Sequence, residues 1–399
     1  YQQVNRFLLL MQKVYSLDKV YFCQHPNSKG EECNFIENFE CVYGQTEEVL
    51  SIAKIIILGF LAFILAMGLT PLISHFLYKY KVWKKQGGKL AMGGKVAEVF
   101  NQLKGEEETK TPRMGGIVIW ASVLITLIGT YLLGFLFPNT FFADLDYLSR
   151  SQTLIPAATL FAGAIIGFLN DFYDVTHSGK GLRLSVRLGL ITLLSGLLGW
   201  WFYAKLGVTG VNIPFDGTFE LGFLIIPFFI LLTLALYASG VIDGIDGLSG
   251  GVFAAIFSAY AGIAVVQSQY DLAAFCATVV GGILAFLWFN IPPARFWMTE
   301  TGSMALTLAL ATVVFMTDSL GEGNGIALLL IVGLPLIVTV GSNIIQILYR
   351  KLTGKKFFRI APLHHHFEAI GWPSYKVTMR YWIISILCAV IGVIIATIA

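Results

Sequence analysis

Residues 221–238 read LGFLIIPFFILLTLALYA, eighteen consecutive positions without a formal charge. A helix rises about 1.5 Å per residue, so roughly 20 such residues cross a hydrocarbon core of ~30 Å. Comparable runs lie near 50–78, 115–136, 153–169, 185–205, 248–267, 272–290, 304–318, 325–348 and 379–399, about ten in all. The 399-residue chain is 56% apolar and 13% charged, with mean hydropathy +0.74, far outside the soluble globular range. Backbone facing lipid must satisfy its own hydrogen bonds, which selects helices. The pattern predicts an all-α polytopic membrane protein, with one membrane domain over 50–399 and no internal repeat.

Lys and Arg set the orientation. The alternate connecting segments 79–114, 170–187, 238–250, 291–303 and 350–380 hold about twenty basic residues, and the other set about two. The first set is therefore expected in the cytoplasm, and an even number of spans leaves both termini outside. The net charge of +3 is spread over several loops with no aromatic-interleaved module, so no nucleic-acid partner is expected. Residues 1–49 are polar and mixed, and Phe7–Met11 is too short for a signal-peptide core. They are expected to form an extracytoplasmic extension. It carries Cys23, Cys33 and Cys41, two of which could pair and leave one over. Cys276 and Cys388 fall within apolar runs, as packing residues do. Gly333 and Pro335 fall mid-span and predict a kink in the ninth helix.

The polar clusters all follow odd-numbered spans and so share one face. Asn170, Asp171 and Asp174 follow the third, Asp243-Gly-Ile-Asp246-Gly the fifth, and Thr299-Glu300-Thr301-Gly302-Ser303 the seventh. After the ninth comes Ala361-Pro362-Leu363-His364-His365-His366-Phe367-Glu368, which holds three of the chain's six histidines. Consecutive helical positions are turned by about 100°, so three adjacent imidazoles fan outward and suit spread-out phosphate or sugar oxygens better than one metal. Asp243 and Asp246, three apart, would share a helix face, with Gly240, Gly244 and Gly247 allowing close approach. Such carboxylates, joined by Asp171 and Glu300, could hold Mg²⁺, which shares its shell with water and phosphates. Lys110 before Thr111-Pro112-Arg113-Met114-Gly115-Gly116, and Lys180 between Gly179 and Gly181, suit phosphate, although basic residues at span ends also serve as topology anchors.

These motifs together resemble the phospho-N-acetylmuramoyl-pentapeptide transferase family of polyprenyl-phosphate N-acetylhexosamine-1-phosphate transferases. The likeness covers about residues 50–399. The triple histidine is its most specific element, and Thr111–Gly116, Phe289-Asn290 and Gly302-Ser303 also match. The resemblance implies transfer of phospho-MurNAc-pentapeptide from UDP-MurNAc-pentapeptide to undecaprenyl phosphate, releasing UMP, in peptidoglycan synthesis at the bacterial inner membrane. It implies Mg²⁺ held by Asp171 and Glu300, with Asp243 and Asp246 near the uridine and diphosphate and Trp297 stacked on uracil. His364, His365 and His366 would act on donor phosphate and sugar, with Lys110, Asn170, Lys180, Asn290 and Ser303 on the substrate. It also implies a homodimer whose bent ninth helix opens a groove for membrane lipid.

The chain departs from the family pattern in several places. Asn170 stands where the family usually has a second Asp, Asp174 replaces a Lys, Glu300 replaces an Asp, and the lead-in to Asp243 reads Tyr237-Ala-Ser-Gly240. The Lys expected before the Thr-Pro motif is shifted, with Lys110 the nearest. An amide cannot take a proton at neutral pH. A lipid phosphate is already largely ionised there and needs neutralisation and in-line alignment more than a base, so Asn170 is compatible with transfer. The rival readings are transfer of GlcNAc-1-phosphate to the lipid, an inactive relative, and a transporter. The last would place polar groups at mid-membrane, whereas here they gather at one surface.

Overall fold

The computed structural model describes residues 35–85, 107–177, 181–318 and 323–398, with side chains from residue 48 onward. Cys23, Cys33, the Cys41 side chain and Lys180 therefore lie outside the described residues. The chain divides into two units, Tyr1–Leu50 and Ser51–Ala399, and the second carries everything considered below.

Helix α1 runs Phe35–Lys79, followed by α2 Ile117–Leu136, α3 Leu154–Thr176, α4 Leu184–Leu206, α5 Ile225–Ser239, α6 Leu248–Val266, α7 Tyr270–Asn290 and α8 Thr299–Met316. After these come α9 Gly325–Val332, α10 Leu334–Thr353, the short α11 Leu363–Ala369 and α12 Ser374–Ile398. Among the described residues nine helices are long and apolar enough to cross a membrane, or ten if α9 and α10, bent by 70°, together form one broken span. The mostly helical polytopic architecture agrees with the hydropathy reading. A small antiparallel hairpin, Gly210–Ile213 with Gly217–Glu220, was not expected. It is pinned by the Asn212 N–H donating to Asp318 Oδ1 at 3.0 Å.

Helix α8 is the axis of this unit. Its apolar window is 94% buried against 17% for α4, so α8 is wrapped by other helices while α4 turns mainly outward. Helices in lipid gain little from the hydrophobic effect and associate through close packing, which small residues permit. A Cβ on Gly163 would lie 2.6 Å from the Met304 carbonyl oxygen, so α3 approaches α8 backbone to backbone. Buried hydroxyls are satisfied locally or across the contact: Thr307 donates to Ser303 O at 2.8 Å, and Thr159 shares a 3.1 Å hydrogen bond with Thr312.

Two boundaries differ from the hydropathy reading in a way that matters. Helix α3 continues to Thr176, so Asn170, Asp171 and Asp174 lie inside it, and α8 begins at Thr299, so Glu300 to Ser303 are its first turns. The expected kink is present, but the break falls at Gly333, and Pro335 starts the new helix, where its missing N–H is harmless. Cys276 and Cys388 are buried packing thiols, as their positions implied.

Candidate active site

Asp171 is fully buried on α3 and faces the start of α8. Its Oδ2 accepts the Thr299 hydroxyl at 2.5 Å, the Thr301 N–H at 2.8 Å and the Thr301 hydroxyl at 2.6 Å. Among the described residues its Oδ1 has only longer partners, Asn170 Nδ2 at 3.3 Å and Arg113 Nη2 at 3.8 Å. Arg113 also reaches Asp174 at 3.2 Å, so one guanidinium serves two carboxylates of α3. Asn170 turns its other end to the chain, accepting the Leu182 N–H at 3.1 Å, which places the segment before α4 against α3.

Asp243 and Asp246 lie in the turn between α5 and α6, not on a helix face. The helical path ends at Ile242, Asp243 leaves helical geometry at ψ 64°, and Gly247, at φ +74° in the left-handed region, caps the start of α6. The two carboxylates instead organise the segment between α7 and α8. Asp246 accepts the Ala294 N–H and the Trp297 indole N–H, both at 3.0 Å. Asp243 accepts the Thr299 N–H at 2.9 Å and the Ser249 hydroxyl at 2.6 Å. Burial pushes the Asp243 carboxyl above the usual carboxylate range, and the neighbouring Asp171 carboxylate adds to this, against the pull of Ser249, the Thr299 N–H and Arg113. Asn290 ties the same region from below, accepting the Gly247 N–H at 3.0 Å and donating to Phe296 O at 2.8 Å.

This arrangement predicts an order of effects. Asp246→Ala leaves two N–H donors unpaired and costs about 1–3 kcal/mol, whereas Trp297→Phe removes one donor and leaves the acceptor partnered. The melting temperature of the detergent-solubilised protein should therefore fall further for Asp246→Ala. The reverse order would show that Asp246 does not hold this loop.

The three histidines occupy α11, whose position is set by α10: Ser342 Oγ accepts the Leu363 N–H at 2.9 Å, and Gln346 holds Phe358. The expected outward fan holds only for His366: His364 and His365, with ring centroids 4.4 Å apart, converge on one point. His364 and His365 are buried and turn their Nε2 atoms toward Gly244, where an added Cβ would lie 2.5 and 2.7 Å away. His366 packs on Phe358 and accepts the Arg359 N–H at 3.2 Å. His365 Nδ1 meets Glu368 Oε2 at 2.7 Å, and Ser374 donates to the other oxygen of Glu368 at 2.5 Å. This chain fixes the ring plane of His365 and directs Nε2 to the aspartate turn.

Glu300 is ion-paired with Arg187 at 2.7 Å through Oε1, and among the described residues Oε2 has no partner. Ser303 lies one turn deeper in α8, beside Gly240, and Lys110 is exposed before the Thr-Pro motif. Arg113, Arg187, Thr299 and Thr301 were not singled out as site residues from sequence. Both arginines sit at span ends, where topology alone accounts for a positive charge. The only hint for Arg113 was its place inside the Thr111–Gly116 motif.

A family model described as Glycosyl transferase family 4 matches residues 153–318, from the start of α3 to the end of α8. A phospho-N-acetylmuramoyl-pentapeptide-transferase of Geobacillus sp. (strain WCH70) is 36% identical over 355 residues, covering 87% of this chain and 98% of the relative. The protein of the same name from Bacillus mycoides (strain KBAB4) is 33% identical over 339 residues, covering 83% and 94%. With this identity across nearly the full length of such relatives, the chain belongs to the phospho-N-acetylmuramoyl-pentapeptide-transferase family.

Proposed function

We propose that this protein transfers phospho-MurNAc-pentapeptide from UDP-MurNAc-pentapeptide to undecaprenyl phosphate and releases UMP. The observation that carries the reading is that Asp171 and Asp243, from two remote segments, both bind Thr299, the neighbour of Glu300 in α8, beside a turn faced by His364 and His365. A lipid-phosphate oxygen forms the new bond to the sugar-linked phosphorus while the anhydride bridge breaks toward UMP. Arg113 neutralises charge beside Asp171, His365 offers a fixed Nε2 to the donor, and Trp297 presents a held aromatic face to the base. The site lies on the cytoplasmic face of a bacterial inner membrane, with both termini outside. The protein acts as a homodimer, and the bend at Gly333 opens a lipid groove.

The donor set fits Mg²⁺. Among the described residues no group of three or more acidic, His or Cys side chains forms a ready cage. This ion commonly uses one or two carboxylates and completes its shell with water and substrate phosphates. Asp171 through Oδ1 and Glu300 through Oε2 are the oxygens that would hold it. When bound, it supplies positive charge at the diphosphate as negative charge moves to the leaving group.

In purified membranes, UMP release should require both lipid phosphate and UDP-MurNAc-pentapeptide, stop on chelation with EDTA and return with Mg²⁺. Turnover undiminished by chelation would remove the metal from this reading. Exclusive use of UDP-GlcNAc in competition would replace it with transfer of GlcNAc-1-phosphate.

A further inference from the structure

Thr299 has φ +54°, a left-handed backbone conformation that β-branched residues rarely adopt. Strain of this kind persists where the surroundings over-determine it, and such places cluster at functional sites. Three segments remote in sequence converge on this one buried residue. Its N–H donates to Asp243 Oδ2 at 2.9 Å, its hydroxyl donates to Asp171 Oδ2 at 2.5 Å, and its own Oγ1 accepts the Met114 N–H at 3.1 Å. Met114 is itself at φ +65°.

We infer that Thr299 is a positioning residue whose hydroxyl fixes the Asp171 carboxylate so that Oδ1 alone is presented to ligand. The role rests on the transferase reading above. Three donors from Thr299 and Thr301 saturate Oδ2 and turn Oδ1 toward Asn170 and Arg113. Without the Thr299 hydroxyl the carboxylate keeps its Thr301 partners but loses the donor that joins it to the 114 and 243 segments. The orientation of Oδ1 then loosens. Thr299 is buried and acts through Asp171, so the loss belongs in kcat and not in substrate binding.

Four proteins test this, each compared as the monodisperse detergent-solubilised fraction. Thr299→Val, nearly isosteric but without the hydroxyl, should lower kcat roughly tenfold to a hundredfold with KM for the UDP-sugar unchanged. Thr299→Ser should stay within a few-fold of the wild type. Thr299→Gly accepts the φ angle freely and also lacks the hydroxyl, so it should be as slow as Val, and it decides the matter if Val does not fold. A Gly variant at the wild-type rate would mean that the hydroxyl is dispensable and would overturn the role, as would a fully active Val variant. A wild type that releases no UMP would instead defeat the transferase reading and this role with it.

Discussion

Asp171→Ala should release no measurable UMP above background under conditions where the wild type turns over readily. Charge stabilisation at a transferring phosphoryl group is worth several kcal/mol, and each ~1.4 kcal/mol is tenfold in rate, so a loss of at least ~10³-fold is expected. The substitution also strands the Thr299 and Thr301 hydroxyls, the Thr301 N–H and one side of Arg113. Breaking a buried charge cluster from one side costs about 3–5 kcal/mol, so Ala alone could fail by unfolding. Asp171→Asn separates the two effects. It keeps the volume and one oxygen for the threonine donors, and should remain folded by size-exclusion chromatography while losing nearly all turnover. Near-normal activity of a folded Asn variant would show that no anionic oxygen is needed at this position.

The spans were legible because hydropathy reports burial in lipid directly, residue by residue. Where the reading failed, polar groups from distant parts of the chain cancel one another. Residues 170–176 and 299–303 looked like loops because each carries acids or hydroxyls, yet Asp171 and Thr301 are paired across a separation of 130 positions. No local pattern carries that information. The aspartates of 243–246 were legible as chemistry but not as geometry. Three apart suggested a helix face, whereas the chain leaves helical geometry at Asp243 and sends the carboxylates to Thr299 and Trp297. The arginines were hidden for a different reason. Arg187 lies 113 positions from Glu300, and a basic residue at the start of a span already has a sufficient explanation in topology.

Gly167 offers the second large effect, and it tests the helix contact that the whole site depends on. It lies one turn before Asp171 on the same face of α3. An added Cβ would fall 2.1 Å from the Glu300 carbonyl oxygen, 2.6 Å from its carbon and 2.9 Å from the Thr301 Cα. All three neighbours are backbone, so no rotamer can relieve the clash and the helices must part. Overpacking in cores that can adjust costs about 1–3 kcal/mol, and this contact has less freedom than those. Separation here also lengthens the 2.8 Å hydrogen bond from the Thr301 N–H to Asp171, and such bonds weaken once the heavy atoms are beyond about 3.2 Å. Gly167→Ala should therefore lower the melting temperature and reduce UMP release by at least ~10-fold, since ~1.4 kcal/mol at the site is already that much. Gly167→Leu should give little folded protein. Gly129→Ala on α2 makes the same chemical change where no atom lies within 4 Å, and should be neutral or slightly stabilising through helix propensity. If Gly167→Ala melts and turns over like Gly129→Ala, α3 and α8 do not meet backbone to backbone, and Asp171 must find other partners than Thr299 and Thr301.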